Sequence, residues 1–182
     1  MTEQPTLTTN RLMLRPFTLA DAPDVQRLAG ERDVAATTLN IRHPYEDGMA
    51  EEWIDSRAEA FAQGGHVTFA ITDRRSGELL GAIGLVLQTE HDRAELGYWI
   101  GKLHWGRGYA SEAAAALVRY GFEVVGLNRI HACHFADNAA SGRVLRKIGM
   151  RREGCLRRHV KKWDRFVDLD CYAILRDEFA ST

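Results

Sequence analysis

From residue 11 to 17 the chain reads RLMLRPF, apolar and polar side chains alternating up to Pro16. A period of two marks a half-buried strand, and the proline ends it. Beyond it the rhythm lengthens. Val25, Leu28 and Ala29 recur at helical spacing behind Asp21, which suits a helix N-cap. Residues 33–45 show no period and close with His43, Pro44 and Tyr45. Met49, Trp53, Ala60 and Phe61 then predict a second helix, stopped by Gly64 and Gly65. Three strand-like runs follow, HVTFAITD (66–73), LLGAIGLVLQ (79–88) and RAELGYWIG (93–101). The short link RRSGE predicts a hairpin between the first two.

After Gly108 the period returns to helical, through Ala110, Ala113, Ala114, Leu117, Val118 and Val124, ending near Gly126. NRIHACHF (128–135) reads as a strand and NAASGRVLRKIG (138–149) as a short helix closed by Gly149. The segment 151–175 reads as two strands around a turn at Trp163 and Asp164. The order is β-α-α-β-β-β-α-β-α-β-β. Only the stretch from about 93 to 135 has the strand–helix–strand form that demands a parallel pair and a right-handed crossover. The expected fold is therefore α/β of the α+β type, around a mixed, mostly antiparallel sheet of about seven strands. One domain over 7–178 is expected, with tails at 1–6 and 179–182.

Composition narrows the function. The 182 residues suit one domain with a sizeable core. Hydrophobic residues make up 45% and charged residues 27%, the balance of a soluble globular chain. A net charge of -1 gives no field for nucleic acid. Three cysteines, Cys133, Cys155 and Cys171, show neither CxxC spacing nor an even count. That predicts reduced thiols and no zinc site. The start MTEQPTLTTN lacks a secretory pattern, and no apolar run reaches membrane-span length. A cytoplasmic protein is expected, with no membrane or nucleic-acid partner.

The oddest stretch is HWGRGYASEA, residues 104–113. It lies between a strand end and a helix start. First-turn amides have no internal partner and sit at the positive end of the helix dipole, so such a terminus receives phosphate. Gly106 and Gly108 let the backbone approach closely; Arg107 adds charge and Ser111 a hydroxyl. The loop lacks the lysine of a nucleotidase P-loop, and its position late in the chain does not suit a dinucleotide fold. A purely structural glycine turn is the other reading.

WGRGYA resembles the pyrophosphate loop of the GNAT N-acetyltransferase superfamily. Three more segments resemble its RimJ/RimL-like branch, whose members acetylate ribosomal-protein N-termini: LTTNRLMLRP (7–16), AELGYWIG (94–101) and DNAASGRVLRKIGMRREGCLR (137–157). The four occur in order across residues 7–175. The resemblance implies a GNAT-like domain with helices on both sheet faces and a splayed parallel pair at the cofactor site. It implies acetyl-CoA as co-substrate, and the seven histidines show no HExxH or clustered ligand spacing, so no metal is expected. Trp99, Ile100, Gly101, Trp105, Gly106, Arg107, Gly108, Tyr109, Ala110, Ser111, Asn138 and Ser141 are its implied contacts. It also implies substrate contacts from His43, Tyr45, Tyr98 and Trp163, and an amine acceptor, either a protein N-terminus or a small molecule. A monomer or a homodimer fits equally.

Transfer from a thioester to an amine needs a neutral amine, a held acyl group, a stabilised oxyanion and a proton for the thiolate. Glu95 is the only carboxylate within its strand, where acids are depleted. It suits a general base acting through water, or an ion pair with Arg93 or Arg15. An amide near Tyr98 or Trp99 suits the oxyanion. Asn138 reads as a helix N-cap or, by resemblance, as a pantetheine contact. Leu145 stands where many GNAT proteins carry a tyrosine acid, which leaves Ser141 as the acid on that helix. His131 and His134 should face opposite sides of their strand, and Cys133 suits the core. A carboxylate relay suits an α-amine, near pKa 7.7–8.0, better than a lysine near 10.4. Two other classes stay in view: a CoA-binding module without catalysis, and a dinucleotide oxidoreductase.

Overall fold

The computed structural model describes residues 3–180. In chain order the strands are β1 (Leu7–Thr8), β2 (Leu12–Arg15), β3 (His66–Asp73), β4 (Leu79–Gln88), β5 (Arg93–Ile100), β6 (Arg129–Phe135), β7 (Arg151–Lys162) and β8 (Arg165–Leu175). The helices are α1 (Ala22–Ala29), α2 (Arg32–Ala36), α3 (Met49–Ala62), α4 (Tyr109–Tyr120), α5 (Ala139–Lys147) and α6 (Arg176–Ala180). One sheet runs β1-β2-β3-β4-β5-β6-β8-β7. Every neighbouring pair is antiparallel except β5 with β6. This is the mixed α/β architecture the sequence predicts, with an eighth strand.

The differences from expectation have local causes. β1 is two residues long, too short to leave a periodic trace. The aperiodic segment 33–45 begins with the tail of the one-turn α2. Asp21 does not cap α1 with its side chain. It closes a capping box with Thr18 around a 3-10 turn, Leu19–Asp21, and pairs with both terminal nitrogens of Arg15. The expected N-terminal tail is partly fixed, since Gln4 donates to the Thr68 carbonyl. Residues 1–2 and 181–182 of the two tails lie outside the described residues.

The cysteine expectation is corrected. Cys133 of β6 and Cys171 of β8 are direct cross-strand partners and are joined by a disulfide. Cys155 is free and exposed. Spacing along the chain gives no hint of that pairing, because strand register creates it.

Apolar faces explain the layers. α4 and α5 bury Ala113, Leu117, Val118 and Leu145 against Leu85, Leu96, Ile130 and Tyr172 on one sheet face. On the other face α1 and α3 bury Val25, Leu28, Ala50 and Ile54 against Ala70 and Leu79. α4 runs on into a π-helical turn, Gly121–Val125, ended at Gly126 with φ 86°. β7 forms the far sheet edge and is largely exposed, and its run of basic residues over 157–162 discourages pairing with another sheet. Among the described residues no helix is long and apolar enough to cross a membrane.

Candidate active site

The parallel pair β5/β6 is short. It holds only at Arg93 with Arg129, Ala94 with Ile130 and Glu95 with His131. Beyond Glu95 the strands part, while β5 stays paired to β4 through Ile100. A cavity of about 750 Å³ runs through this opening from α5 and the glycine loop to α1, α3 and the loop at 37–45. Strand alternation divides its lining. Tyr98 faces α5, whereas Trp99 packs in the cluster of α1 and α3. Glu95 and Gly97 share the Trp99 face, and a Cβ on Gly97 would meet open space.

At one end stands the glycine loop. Gly106 and Gly108 have φ of 74° and 82°, the left-handed region that glycine enters without penalty. Gly108 caps α4, and no side chain caps that helix. The first-turn amides of a twelve-residue helix therefore face the cavity lining at Tyr109, Ala110 and Ser111. This end fits an anion such as a pyrophosphate. Trp105 reaches back and donates its indole Nε1–H to the Ile100 carbonyl at 2.6 Å. Arg107 is exposed. Arg11 holds the loop: its Nη1 donates to the Arg107 carbonyl, its Nε pairs with Glu112, and its guanidinium lies over the Tyr109 ring. That anchor is not legible in the sequence, since residue 11 reaches the loop only through the fold.

Gly101 has a packing reason to be glycine, because a Cβ there would lie 2.6 Å from Leu28. Its amide donates to the Leu80 carbonyl. Ile100 is buried in the core. Asn138 caps α5, its Oδ1 accepting from the Ser141 amide at 3.2 Å. The Ser141 hydroxyl lies 2.7 Å from the Tyr98 hydroxyl. Burial pushes the Tyr98 phenol up to about 12, against a smaller downward pull from Ser141. Sequence reasoning placed Tyr98 among substrate contacts. It lines the cavity and touches the Ser141 hydroxyl, on the side where Leu145 is buried and holds no hydroxyl.

Across the opening, Glu95 lines the cavity and is exposed. Neither expected ion pair forms. Arg15 is engaged by Asp21, and Arg93 donates its Nε to Gln88. Among the described residues Glu95 makes no ion pair within 4 Å. His131 stands beside it in register, half-buried, with its Nδ1 buried and without a hydrogen-bond partner. Burial holds the His131 pKa below its usual value, against an upward pull from Glu95. His134 faces the other way and stacks on Tyr172.

Tyr45 and Tyr98 line the main cavity; His43 and Trp163 do not. They line a smaller neighbouring depression with Lys162 and Pro44. Leu39, Ile41, Arg42 and Met49 belong to both, so the two hollows adjoin. Lys162, buried, donates to the carbonyls of Leu39 and Ile41 and so ties β7 to the 37–45 loop.

Known proteins share this fold and family. Residues 11–151 match the model of the acetyltransferase (GNAT) domain. An uncharacterized N-acetyltransferase, p20 of Bacillus licheniformis, is 34% identical over 177 residues, covering 96% of this chain and 98% of the relative. The ribosomal protein uS5 alanine N-acetyltransferase of Escherichia coli is 30% identical over 159 residues, covering 81% of this chain and 79% of the relative. The crystal structure of a spermidine N-acetyltransferase from Vibrio cholerae, in complex with CoA and spermine, superposes with a TM-score of 0.82. It is 21% identical and covers 94% of this chain and 99% of its own.

Proposed function

The chain belongs to the GNAT acetyltransferase family and is an N-acetyltransferase, and from that premise we propose that it moves an acetyl group from acetyl-CoA to a primary amine in a ternary complex. The acceptor we propose is a protein N-terminal α-amine; a small-molecule amine is the alternative. The observation that carries the reading is the meeting of three groups at the β5/β6 opening. Glu95 stands on the α1/α3 face, the Ser141–Tyr98 pair on the α5 face, and the glycine loop at the end of the same cavity.

The loop amides of residues 108–111 and Arg107 would hold the pyrophosphate. The parted edge of β5 would pair with the pantetheine arm, with Trp105 fixing its end at Ile100. An amide of β5 near Tyr98 or Trp99 would meet the carbonyl oxygen as it becomes an oxyanion. The neutral amine attacks the thioester carbonyl, and Glu95 takes through water the proton that its nitrogen sheds as the carbon–nitrogen bond forms. The carbon–sulfur bond breaks, and the thiolate takes up a proton. A thiol near pKa 8.5 is a stronger acid than a phenol at about 12. Tyr98 and Ser141 therefore lend the departing sulfur a hydrogen bond, and solvent supplies the net proton.

An N-terminal α-amine suits a carboxylate relay, because it is partly neutral at pH 7. The Escherichia coli relative is named for such an acceptor, and the Vibrio cholerae structure holds a polyamine. The test is CoA release from acetyl-CoA across N-terminal peptides and small amines. Turnover with peptides is expected, with Glu95→Gln and Ser141→Ala losing it while CoA still binds. A protein that binds CoA and releases none with any acceptor would be a binding module.

A further inference from the structure

The cavity wall on the acceptor side carries a guanidinium that no carboxylate of the described residues pairs. Arg57 projects from α3 into the lining beside His66, Trp53 and Thr68. Its Nη1 lies 3.1 Å from the His66 Nδ1, its Nε and Nη2 donate to the Ser56 hydroxyl, and its guanidinium stands over the Trp53 ring. All three contacts are neutral. No carboxylate of the described residues pairs with Arg57, although α3 holds Glu51, Glu52, Asp55 and Glu59. Burial lowers its pKa, and burial with the Arg57 charge lowers that of His66. His66 thus stays neutral and accepts from the guanidinium. A planar cation held on three sides, with no counter-charge, is a prepared anion site.

Its position follows from strand register. His66 pairs with Val86, Val86 with Glu95, and Glu95 with His131. These four side chains form a row across β3, β4, β5 and β6 on one face. Two strand spacings separate His66 from Glu95, about 10 Å. Between them Val86 leaves an exposed apolar step. Among the described residues Glu95 is the only carboxylate in the cavity lining, whereas Arg42, Arg57 and His66 stand on its acceptor side.

We propose that Arg57 binds an anionic group of the acceptor, so that the preferred substrate is a primary amine carrying a carboxylate several bonds from its nitrogen. This rests on the acetyltransferase reading above, and it deepens that reading by setting the acceptor class. The amine lies at Glu95, the intervening carbons cross Val86, and the carboxylate meets the Arg57 fork. A polyamine bears a second cation at that distance and meets repulsion instead. An acidic peptide N-terminus and a free acidic dipeptide share the required chemistry.

The experiment compares kcat/KM, by CoA release, for alanyl-glutamate amide, alanyl-glutamine amide, spermidine and a ten-residue peptide beginning Ala-Glu. The glutamate acceptor is expected to exceed the glutamine one by about tenfold or more, the usual size of a hydrogen bond to a charged group. Spermidine is expected to be the poorest. Arg57→Gln should collapse the glutamate-to-glutamine ratio toward one, and Arg57→Lys should keep part of it. CoA affinity of both variants, by titration, checks that the fold is intact. A ten-residue peptide better than the dipeptide assigns the site to protein N-termini; the reverse assigns it to small acidic amines. Turnover with equal use of glutamate and glutamine, or a ratio untouched by Arg57→Gln with CoA still bound, overturns the anion site alone. No CoA release with any acceptor overturns the acetyltransferase reading and the anion site with it.

Discussion

Tyr98 and Ser141 touch at 2.7 Å, yet they come from different elements, β5 and α5. Alternation along β5 says that Tyr98 and Trp99 point to opposite faces, but not which helix waits on either side. Removing the phenol should therefore look like removing the serine's support. Tyr98→Phe is expected to lower kcat about 10–100-fold, the cost of a hydrogen bond to a developing charge. The double variant with Ser141→Ala should be little worse than Ser141→Ala alone, because the two act as one unit. Single-turnover rates in the presence of saturating acetyl-CoA measure both. The phenol at about 12 also fixes a pH expectation. A group stays protonated below its pKa, so Tyr98 keeps its hydrogen throughout the working range. With an α-amine acceptor, kcat should rise as the amine becomes neutral and then stay flat to about pH 10. A falling limb at pH 8–9 would assign the donor to another group. Arg57 shows the limit of reading residues singly. Nothing in MAEEWIDSRAEAFA marks its arginine, because its value lies in facing His66 across the register of β3.

Elements were more legible than residues. The period-two runs and the glycine-bounded helices of the middle of the chain appear where the pattern puts them, since burial on one face writes itself into the sequence. The glycine loop was legible for the same reason: two left-handed backbones require glycine at 106 and 108. Partners across strands were not legible, which is why the Cys133–Cys171 pairing contradicts the thiol expectation. Gly81 belongs to the same class. A Cβ there would lie 2.1 Å from the Trp99 carbonyl oxygen and 2.9 Å from the Ile100 Cα. Both are backbone atoms with no freedom to yield. Gly81→Ala is expected to part β4 from β5 at the site's own edge. A loss of about 1–3 kcal/mol in urea unfolding should appear with weakened CoA binding. A variant of wild-type stability would show that β5 slides without penalty.

At the scale of the whole molecule, the sheet is two blocks, β1–β5 and β6–β8, joined by three residue pairs and the helices that cover them. A ligand that bridges the opening binds only the folded state and must raise its stability. At a hundred times its Kd, CoA should add about 2.7 kcal/mol. That corresponds to a Tm increase of roughly 5–11 °C for a chain of this length. Calorimetry with CoA measures it, and NAD at the same concentration should leave Tm unmoved.

The Lys162 ammonium crosses between those blocks. It belongs to β7 in the far block, and it grips two carbonyls of the loop that walls the acceptor side in the near one. Any change in the angle between blocks is thus felt at residues 39–41. If the tie transmits that change, acceptor affinity is expected to depend on whether the donor is bound. Whatever factor acetyl-CoA adds to acceptor affinity, the acceptor must add to acetyl-CoA affinity. Lys162→Met cuts that tie, so the acceptor's KM in the variant should no longer depend on donor concentration. Initial-rate plots that intersect away from the axis in the wild-type protein should intersect on it in the variant. Plots that still intersect off the axis in the variant would leave the lysine a structural tie alone.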